Sequence, residues 1–368
     1  MPRPFLQGVR VLELCDCSGW LAGRMLADLG ADVVVVEPVE RDALPYAWTA
    51  FGAGKRSVAL DDISPLIAAA DVVLETGVTD RFERTASART VWCAITPFGR
   101  TGPKSSWRAS DLSVQAQSGV MWMTGEPDRA PVACTYPTSW YHGCADAVAA
   151  TLMALLQRSR TGRGQLVDVS LQESHLLATM SRVAQAPMGG GRGRRAGALM
   201  RVGKTVQREI WPCADGYVTF GLRRGPARIP GLKRLVAWIA EEGMATPALT
   251  ERDWDAYNHN DLSQQEVDEI SAPIAVFLLS KTMTELYDAA LKRGLMLAPA
   301  NTAREIVASR QSAARGLFVD GDDHTPGHVP LPASFVAVAD QPRRAPSPTP
   351  VVGAHTQEVM REWARSTD

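Results

Sequence analysis

The sequence predicts an α/β protein with a parallel sheet, followed by a smaller α+β domain. Residues 8–14 and 31–37 are two β-branched runs, which are typical of strands buried on both faces. A helical pattern at residues 18–29 separates them and ends at Gly30. A strand, a helix and a second strand in this order indicate a crossover unit and therefore a parallel sheet.

Further elements of the same kind follow along the chain. Apolar runs at 55–60, 71–75 and 90–96 predict three more strands, and residues 63–70 and 111–123 predict helices. The turn after the first strand reads Cys-Asp-Cys-Ser-Gly-Trp and lacks Gly-x-Gly-x-x-Gly, which disfavours a dinucleotide site. The loop at 97–104 carries Arg100 and Lys104 among glycines, and it is either shaped for a ligand or an ordinary surface loop.

The stretch 131–175 is where we expect a site. A loop enters a long apolar helix at residues 139–142, and this helix ends in a basic, glycine-containing turn at 158–164. A strand at 165–171 and a helix to about 186 follow. The loop before the long helix is the candidate, because a helix N-terminus presents unpaired N–H groups.

The second half begins after a loop rich in glycine and arginine at 188–195, which reads as a solvated linker or, less simply, as a phosphate site. Residues 208–221 predict a β-hairpin with Ala-Asp-Gly at its turn. Helices are expected at 231–242, 264–280, 282–293 and 302–309, and a last helix follows a proline-rich tail.

Composition excludes several classes of protein. The 368 residues carry a formal net charge of −1, which gives no general attraction to nucleic acid or anionic membranes. No apolar run is long enough to span a bilayer, and the N-terminal residues lack the apolar core of a signal peptide, so we expect a cytoplasmic protein. The six cysteines are scattered, which favours reduced thiols over zinc or disulfides, and no metal is expected.

Patterns alone do not identify a catalytic centre. No hydrolase elbow, Walker loop or His-Glu-x-x-His motif is present. His142 and His355 stand alone and are more typical of structural histidines, while Asp146 and Glu173 are more typical of solvated or capping acids. These observations predict a protein that binds a small anionic ligand.

Several strings, taken together and in order, resemble class III CoA-transferases, the superfamily of formyl-CoA transferase, carnitine CoA-transferase and α-methylacyl-CoA racemase. They lie at residues 8–14, 26–37, 54–60, 98–103, 111–119, 161–170 and 353–358. The resemblance implies a Rossmann-like large domain, a small middle domain and two interlocked chains. The corresponding domains would be 1–190, 191–310 and a segment 311–368 that returns to the large domain.

The resemblance also implies that coenzyme A, as a substrate, lies on the large domain. By position, the residues that would bind CoA are Cys17, Ser18, Lys55, Arg56, Thr76, Arg100 and Lys104. Basic groups among them suit the phosphates of CoA. Pro38 stands where some members place a phosphate-binding arginine.

The family's transferases use an aspartate nucleophile at the entrance of the helix that precedes Gly-Arg-Gly-Gln. Counted back without gaps, that position is Trp140, and Asp146 lies almost two turns further on. The racemase branch needs a His-Asp pair where this chain has Ser110 and Asp111. We therefore expect no catalytic nucleophile and disfavour racemisation.

Some class III transferases are heteromers in which one of two homologous subunits keeps the aspartate. Residues 201–217 resemble the non-catalytic subunit of benzylsuccinate CoA-transferases. The leading hypothesis is an accessory subunit whose partner carries the aspartate. The alternatives are a stand-alone acyl-CoA enzyme that uses Asp111, His142 or Asp146, and a CoA-binding protein without catalysis.

Overall fold

A computed structural model describes residues 4–37, 45–77, 87–179, 184–185, 187–188, 195–319, 330–337 and 345–364. The chain divides into two compact units. The first comprises Met1–Trp122, Ala133–Arg192 and Val307–Asp368, and the second comprises Met123–Val132 and Gly193–Ile306. In the described ranges no helix combines the length and apolar character needed to cross a membrane.

The first unit is built on a six-stranded parallel sheet, as the sequence predicts. Its strands are β1 (Arg10–Leu14), β2 (Asp32–Val36), β3 (Arg56–Val58), β4 (Val72–Thr76), β5 (Val91–Thr96) and β6 (Leu166–Ser170). Their order in the sheet is β3-β2-β1-β4-β5-β6. This is the doubly wound order, in which ligands bind outside the carboxyl ends of the strands, where β1 and β4 meet.

Helices accompany this sheet, some packed on its strands and others packed on neighbouring helices. They are α1 (Trp20–Asp28), α2 (Pro45–Gly52), α3 (Ser64–Ala69), α4 (Asp111–Gln117), α5 (Thr138–Thr161) and α6 (Leu171–Leu176). α4 is shorter than the predicted helix at 111–123, because Gly119 takes a φ of 83° that ends the helical path. Single turns of 3₁₀ helix follow α4 and α6, at Met121–Met123 and Leu177–Thr179.

A buried ion pair joins three segments beneath the turn that follows β1. The Nζ of Lys55 lies 2.7 Å from Glu13 on β1, and neither side chain is exposed to solvent. The same ammonium donates to the carbonyl oxygen of Trp20, at 2.9 Å. α1 passes so close that a Cβ on Gly23 would stand 1.6 Å from the Glu13 Oε2. Burial raises the pKa of Glu13, and the ammonium of Lys55 opposes that rise.

The second unit holds two antiparallel strand groups. A hairpin of β7 (Leu199–Val202) and β8 (Thr205–Arg208) was not predicted. The predicted hairpin at 208–221 is confirmed as β9 (Ile210–Cys213) and β10 (Gly216–Thr219), and β11 (Ala298–Pro299) extends it. The accompanying helices are α7 (Ile229–Glu241), α8 (Pro247–Thr250), α9 (Gln264–Leu279) and α10 (Met283–Arg293). Their shared core includes Trp211, Trp238 and Phe277.

The C-terminal part of the chain brings the last elements. These are α11 (Ala303–Ala308), α12 (Arg310–Ala314), the paired strands β12 (Phe318–Val319) and β13 (Leu331–Pro332), and α13 (Thr356–Ala364). Val359 and Trp363 of α13 are buried in the core on one face of the sheet. Arg56 on β3 bonds to Asp32 at 2.5 Å and to Glu362 at 2.7 Å.

We expect Lys55→Met to destabilise the first unit by about 3–5 kcal/mol, because it leaves the carboxyl of Glu13 buried without a cation. Urea unfolding measures the change. Lys233→Met is the matched control, since Lys233 pairs with Asp255 at 2.5 Å in an exposed position; its loss is expected to be below about 1 kcal/mol. Equal effects of the two substitutions would contradict this account of the buried pair.

Candidate functional site

A cavity of about 390 Å³ opens at the carboxyl ends of β1, β4 and β5. This is the edge of the sheet where a doubly wound fold binds its ligand. Segments that are distant in sequence contribute to its wall. The described lining residues are Asp16, Ser18, Thr76, Gly77, Ile95, Pro97, Trp107, Arg108, Ala109, Trp140 and Leu171.

The turn after β1 forms the polar side of the cavity. The Oδ1 of Asp16 accepts hydrogen bonds from the backbone N–H and the hydroxyl of Ser18, at 2.9 and 2.5 Å. The backbone N–H of Asp16 donates to the Thr76 Oγ1 at 2.8 Å. Two of the predicted CoA-binding residues, Ser18 and Thr76, therefore lie together in the wall. Cys17 lies between two lining residues but packs against the core.

The loop after β5 supplies aromatic and basic groups. Its path is fixed by the backbone N–H of Arg100, which donates to both carboxylate oxygens of Asp168 at 3.1 and 3.0 Å. The ammonium of Lys104 lies over the ring of Trp107, 5.5 Å from its centroid, and bonds to Gln117. Arg108 is exposed on the cavity wall and forms no ion pair with the described part of the chain.

Lys55 and Arg56, which were also predicted to bind CoA, do not line this cavity. The Lys55 ammonium is enclosed with Glu13, and the Arg56 guanidinium bonds to Asp32 and to α13. Both charges are therefore engaged by the protein itself. Pro38 and residues 189–194 of the basic loop lie outside the described residues.

The first turn of α5 holds Trp140, which is one of the lining residues and also packs against the core. This turn contains no acidic residue, and Pro137 at the N-cap offers no side-chain hydrogen bond. Asp111 on α4 replaces that cap, because its Oδ1 accepts from the Ser139 backbone N–H and hydroxyl at 3.1 and 2.6 Å. Its other oxygen accepts from Gln115 at 2.5 Å. A carboxylate is thus present beside the turn, but it is committed to holding the helix.

The remaining predicted acids and bases lie away from the cavity wall. His142 is exposed and packs edge-to-face against His175, with the ring centroids 5.5 Å apart. Asp146 lies further along α5 and forms no hydrogen bond or ion pair with the described residues. Burial raises the pKa of Cys93 and of Cys144 to about 12, so neither thiol supplies a thiolate near neutral pH.

Sequence reasoning missed Asp16, Trp107 and Arg108 as wall residues and His175 as a buried histidine. The signal for the first three was available, because they follow strands whose carboxyl ends share one edge of the sheet. Their side chains combine with Trp140 to give a cavity with polar, cationic and aromatic parts. Such a wall suits a ligand that has both an anionic and an apolar part. The described residues hold no group of three potential metal ligands.

Comparisons with known proteins point to one family. The model of "CoA-transferase family III" matches residues 6–356. A subunit of succinyl-CoA:(R)-benzylsuccinate CoA-transferase, BbsE of Thauera aromatica, is 27% identical over 96% of this chain and 93% of its own length. A succinate–glutarate CoA-transferase of Agrobacterium fabrum is also 27% identical, over 98% of this chain and 96% of its own length.

Solved structures show the same fold. A protein of the CAIB/BAIF family from Brucella suis superimposes with a TM-score of 0.80 at 23% identity, covering 97% of this chain and 98% of its own.

Removing the cap that Asp111 provides should weaken the start of α5. We expect Asp111→Ala to lower the free energy of unfolding by about 2 kcal/mol, because it removes charge-assisted hydrogen bonds to Ser139. Asp146→Ala, on the same helix but without a partner among the described residues, is the control and should change it by less than about 0.5 kcal/mol. Thermal denaturation compares the two, and a silent Asp111→Ala would disprove the capping role.

Proposed function

The chain belongs to CoA-transferase family III, and on that premise we propose that it is a subunit of an enzyme that moves CoA between an acyl-CoA and a carboxylic acid. In this proposal the subunit itself lacks the nucleophile. The observation that carries the proposal is that Trp140, in the first turn of α5, lines the cavity. That is the position at which the family's aspartate is expected.

The chemistry of the transfer explains why this residue matters. A nucleophilic carboxylate attacks the donor thioester, expels CoA thiolate and forms a mixed anhydride. The CoA thiolate then attacks the enzyme's carboxyl carbon, which releases the donor acid and leaves an enzyme-bound thioester. An indole ring has no carboxyl group and forms neither intermediate. Asp111 is near the same turn, but both of its carboxylate oxygens accept hydrogen bonds from the protein.

The cavity suits the thioester end of acyl-CoA. Ser18 and Thr76 supply hydroxyl groups on one side, and Trp140 and Leu171 supply an apolar surface on the other. Arg108 lies in the wall, and Arg100 and Lys104 are further cations of the same loop, although neither lines the cavity. Such groups suit a phosphate or a carboxylate. CoA is a substrate in this proposal, and no metal takes part.

The proposed partner is a homologous chain that carries the catalytic aspartate. BbsE, a relative along 96% of this chain, is described as a subunit of its CoA-transferase. We infer an interlocked assembly in the cytoplasm, built from domains 1–190 and 191–310 and a returning segment 311–368.

One observation favours a second candidate, an acyl-CoA enzyme that acts alone. Asp16 is the one carboxylate among the described lining residues, and only its Oδ1 is engaged by Ser18. Its second oxygen is available to act as a base or nucleophile on a bound thioester. This candidate predicts activity without a partner and loss of that activity in Asp16→Asn.

We expect the purified chain to bind CoA but to exchange no CoA between an acyl-CoA donor and a carboxylic acid. Exchange should begin when a homologous subunit with the aspartate is added. Liquid chromatography of the CoA thioesters measures the exchange, with succinyl-CoA as the first donor tested. Robust turnover by the chain alone, abolished in Asp16→Asn, would replace this proposal with the second candidate.

Restoring the carboxylate tests the position directly. Trp140→Asp should form a covalent CoA adduct when mixed with acyl-CoA, because it places a carboxylate on the cavity wall at a helix N-terminus. Mass spectrometry of the intact protein detects the adduct. His142→Asp is the control, since it adds the same charge to the exposed side of the same turn. Adducts on both variants, or on neither, would argue against Trp140 as the nucleophile position.

A further inference from the structure

A second set of hydrogen bonds, besides those of Asp111, holds the first turn of α5. His175 on α6 is buried, with 2% of its surface exposed. Its Nδ1 lies 2.8 Å from the Ser118 Oγ, and its Nε2 lies 3.3 Å from the Thr138 Oγ1. Thr138 is the first residue of α5 and stands two positions before Trp140.

The hydrogen-bond partners determine the tautomer of this imidazole. The Ser118 hydroxyl donates to the Gln115 carbonyl oxygen at 3.0 Å, so its proton is not directed at His175. The Nδ1 of His175 therefore carries the proton and donates to Ser118, which leaves Nε2 to accept from Thr138. A neutral ring thus connects the end of α4 to the start of α5.

The surroundings of His175 favour this neutral form. Burial lowers the pKa of His175, and His142 on α5 adds to that effect, while Asp111 on α4 opposes it. On β6, Asp168 is exposed and bonded to the backbone N–H of Arg100. A protonated ring would have to donate from both nitrogen atoms, and Thr138 would lose the acceptor of its own hydroxyl proton.

We propose that His175 is a positioning residue, which in its neutral form holds the first turn of α5 so that Trp140 closes the acyl-CoA cavity. This inference rests on the proposed function of the cavity. Leu171, one turn before His175 on α6, lies in the same cavity wall. A single short helix therefore contributes both a wall residue, Leu171, and the histidine that fixes a second wall residue, Trp140.

The proposal predicts that binding depends on pH. A histidine whose pKa is lower in the folded state than its ordinary value of 6.5 adds stability that is present above that value. This contribution is lost as the pH falls through the folded pKa. In this proposal only the neutral ring holds the first turn of α5 in the form that binds CoA. Binding of CoA should therefore be strongest near neutral pH, and its affinity should fall about tenfold per pH unit below the pKa of His175 in the folded protein.

The test is calorimetric titration of the full-length chain with CoA and with acetyl-CoA, from about pH 8 to about pH 5. The wild type should lose affinity on acidification. His175→Gln should remove this pH dependence. Thr138→Val, which deletes the hydroxyl at nearly constant shape, should weaken binding about three- to tenfold at neutral pH. It should also reduce the pH dependence, because protonation of Nε2 then no longer breaks a hydrogen bond to α5. His142→Gln is the matched control and should retain the pH dependence.

Each failure has its own reading. Absence of CoA binding at every pH overturns the proposed function of the cavity. Binding that does not vary with pH, or that varies equally in His175→Gln, overturns the role of His175 alone.

Nitrogen NMR of histidine-labelled wild-type protein gives a reading that does not depend on any variant. It should show the Nδ1–H tautomer for His175 at neutral pH. A ring protonated on Nε2 would contradict the proposal.

Discussion

The geometry of the candidate site depends on one buried ion pair. Glu13 stands at the centre of the sheet, and Lys55 reaches it from a segment 42 positions away. The ammonium also holds the carbonyl of Trp20, so the strand and the helix that flank the turn at 15–19 are fixed to one point. Breaking a pair of this kind is costly, because removal of either partner leaves a buried charge unpaired. The turn that carries Ser18 lies between this strand and this helix, so its position at the cavity is fixed as well.

Much of the fold could be predicted because strands that are buried on both faces of a sheet have continuous apolar sequences. Residues 32–36, Asp-Val-Val-Val-Val, are recognisable as a central strand from their residue types alone. The hairpin at 199–208 was missed, since Arg201, Lys204 and Arg208 dilute the alternation that marks a strand. The helix predicted at 111–123 is shorter in the structure for a different reason, because Gly119 takes a positive φ that ends it.

The site was predicted less completely than the fold. Counting residues along the continuous helix pointed to Trp140, which lines the cavity. Its equivalence to the nucleophile position stays a prediction. No spacing rule predicts that Lys55 forms an ion pair with Glu13, since the two residues are far apart in sequence and meet only in the folded chain. The contacts of His175 could not be predicted for the same reason, because its partners are distant in sequence. Its bonds to Ser118 and Thr138 show that His175, as well as Asp111, holds the first turn of α5.

The position of α13 has a consequence for the order in which the chain can fold during synthesis. Val359 and Trp363 fill the core on one face of the sheet, and the backbone of His355 pairs with Ser57 on β3. A ribosome delivers these residues after the segments that precede them, so that face of the sheet is covered only in part, by α3, while the intervening segments emerge. Residues 193–306 belong to the second unit, which has a core of its own, so this part of the chain can fold before α13 is synthesised. The nascent protein therefore carries a folded second unit and an incompletely covered sheet. A chaperone would have to shield that sheet until α13 is synthesised.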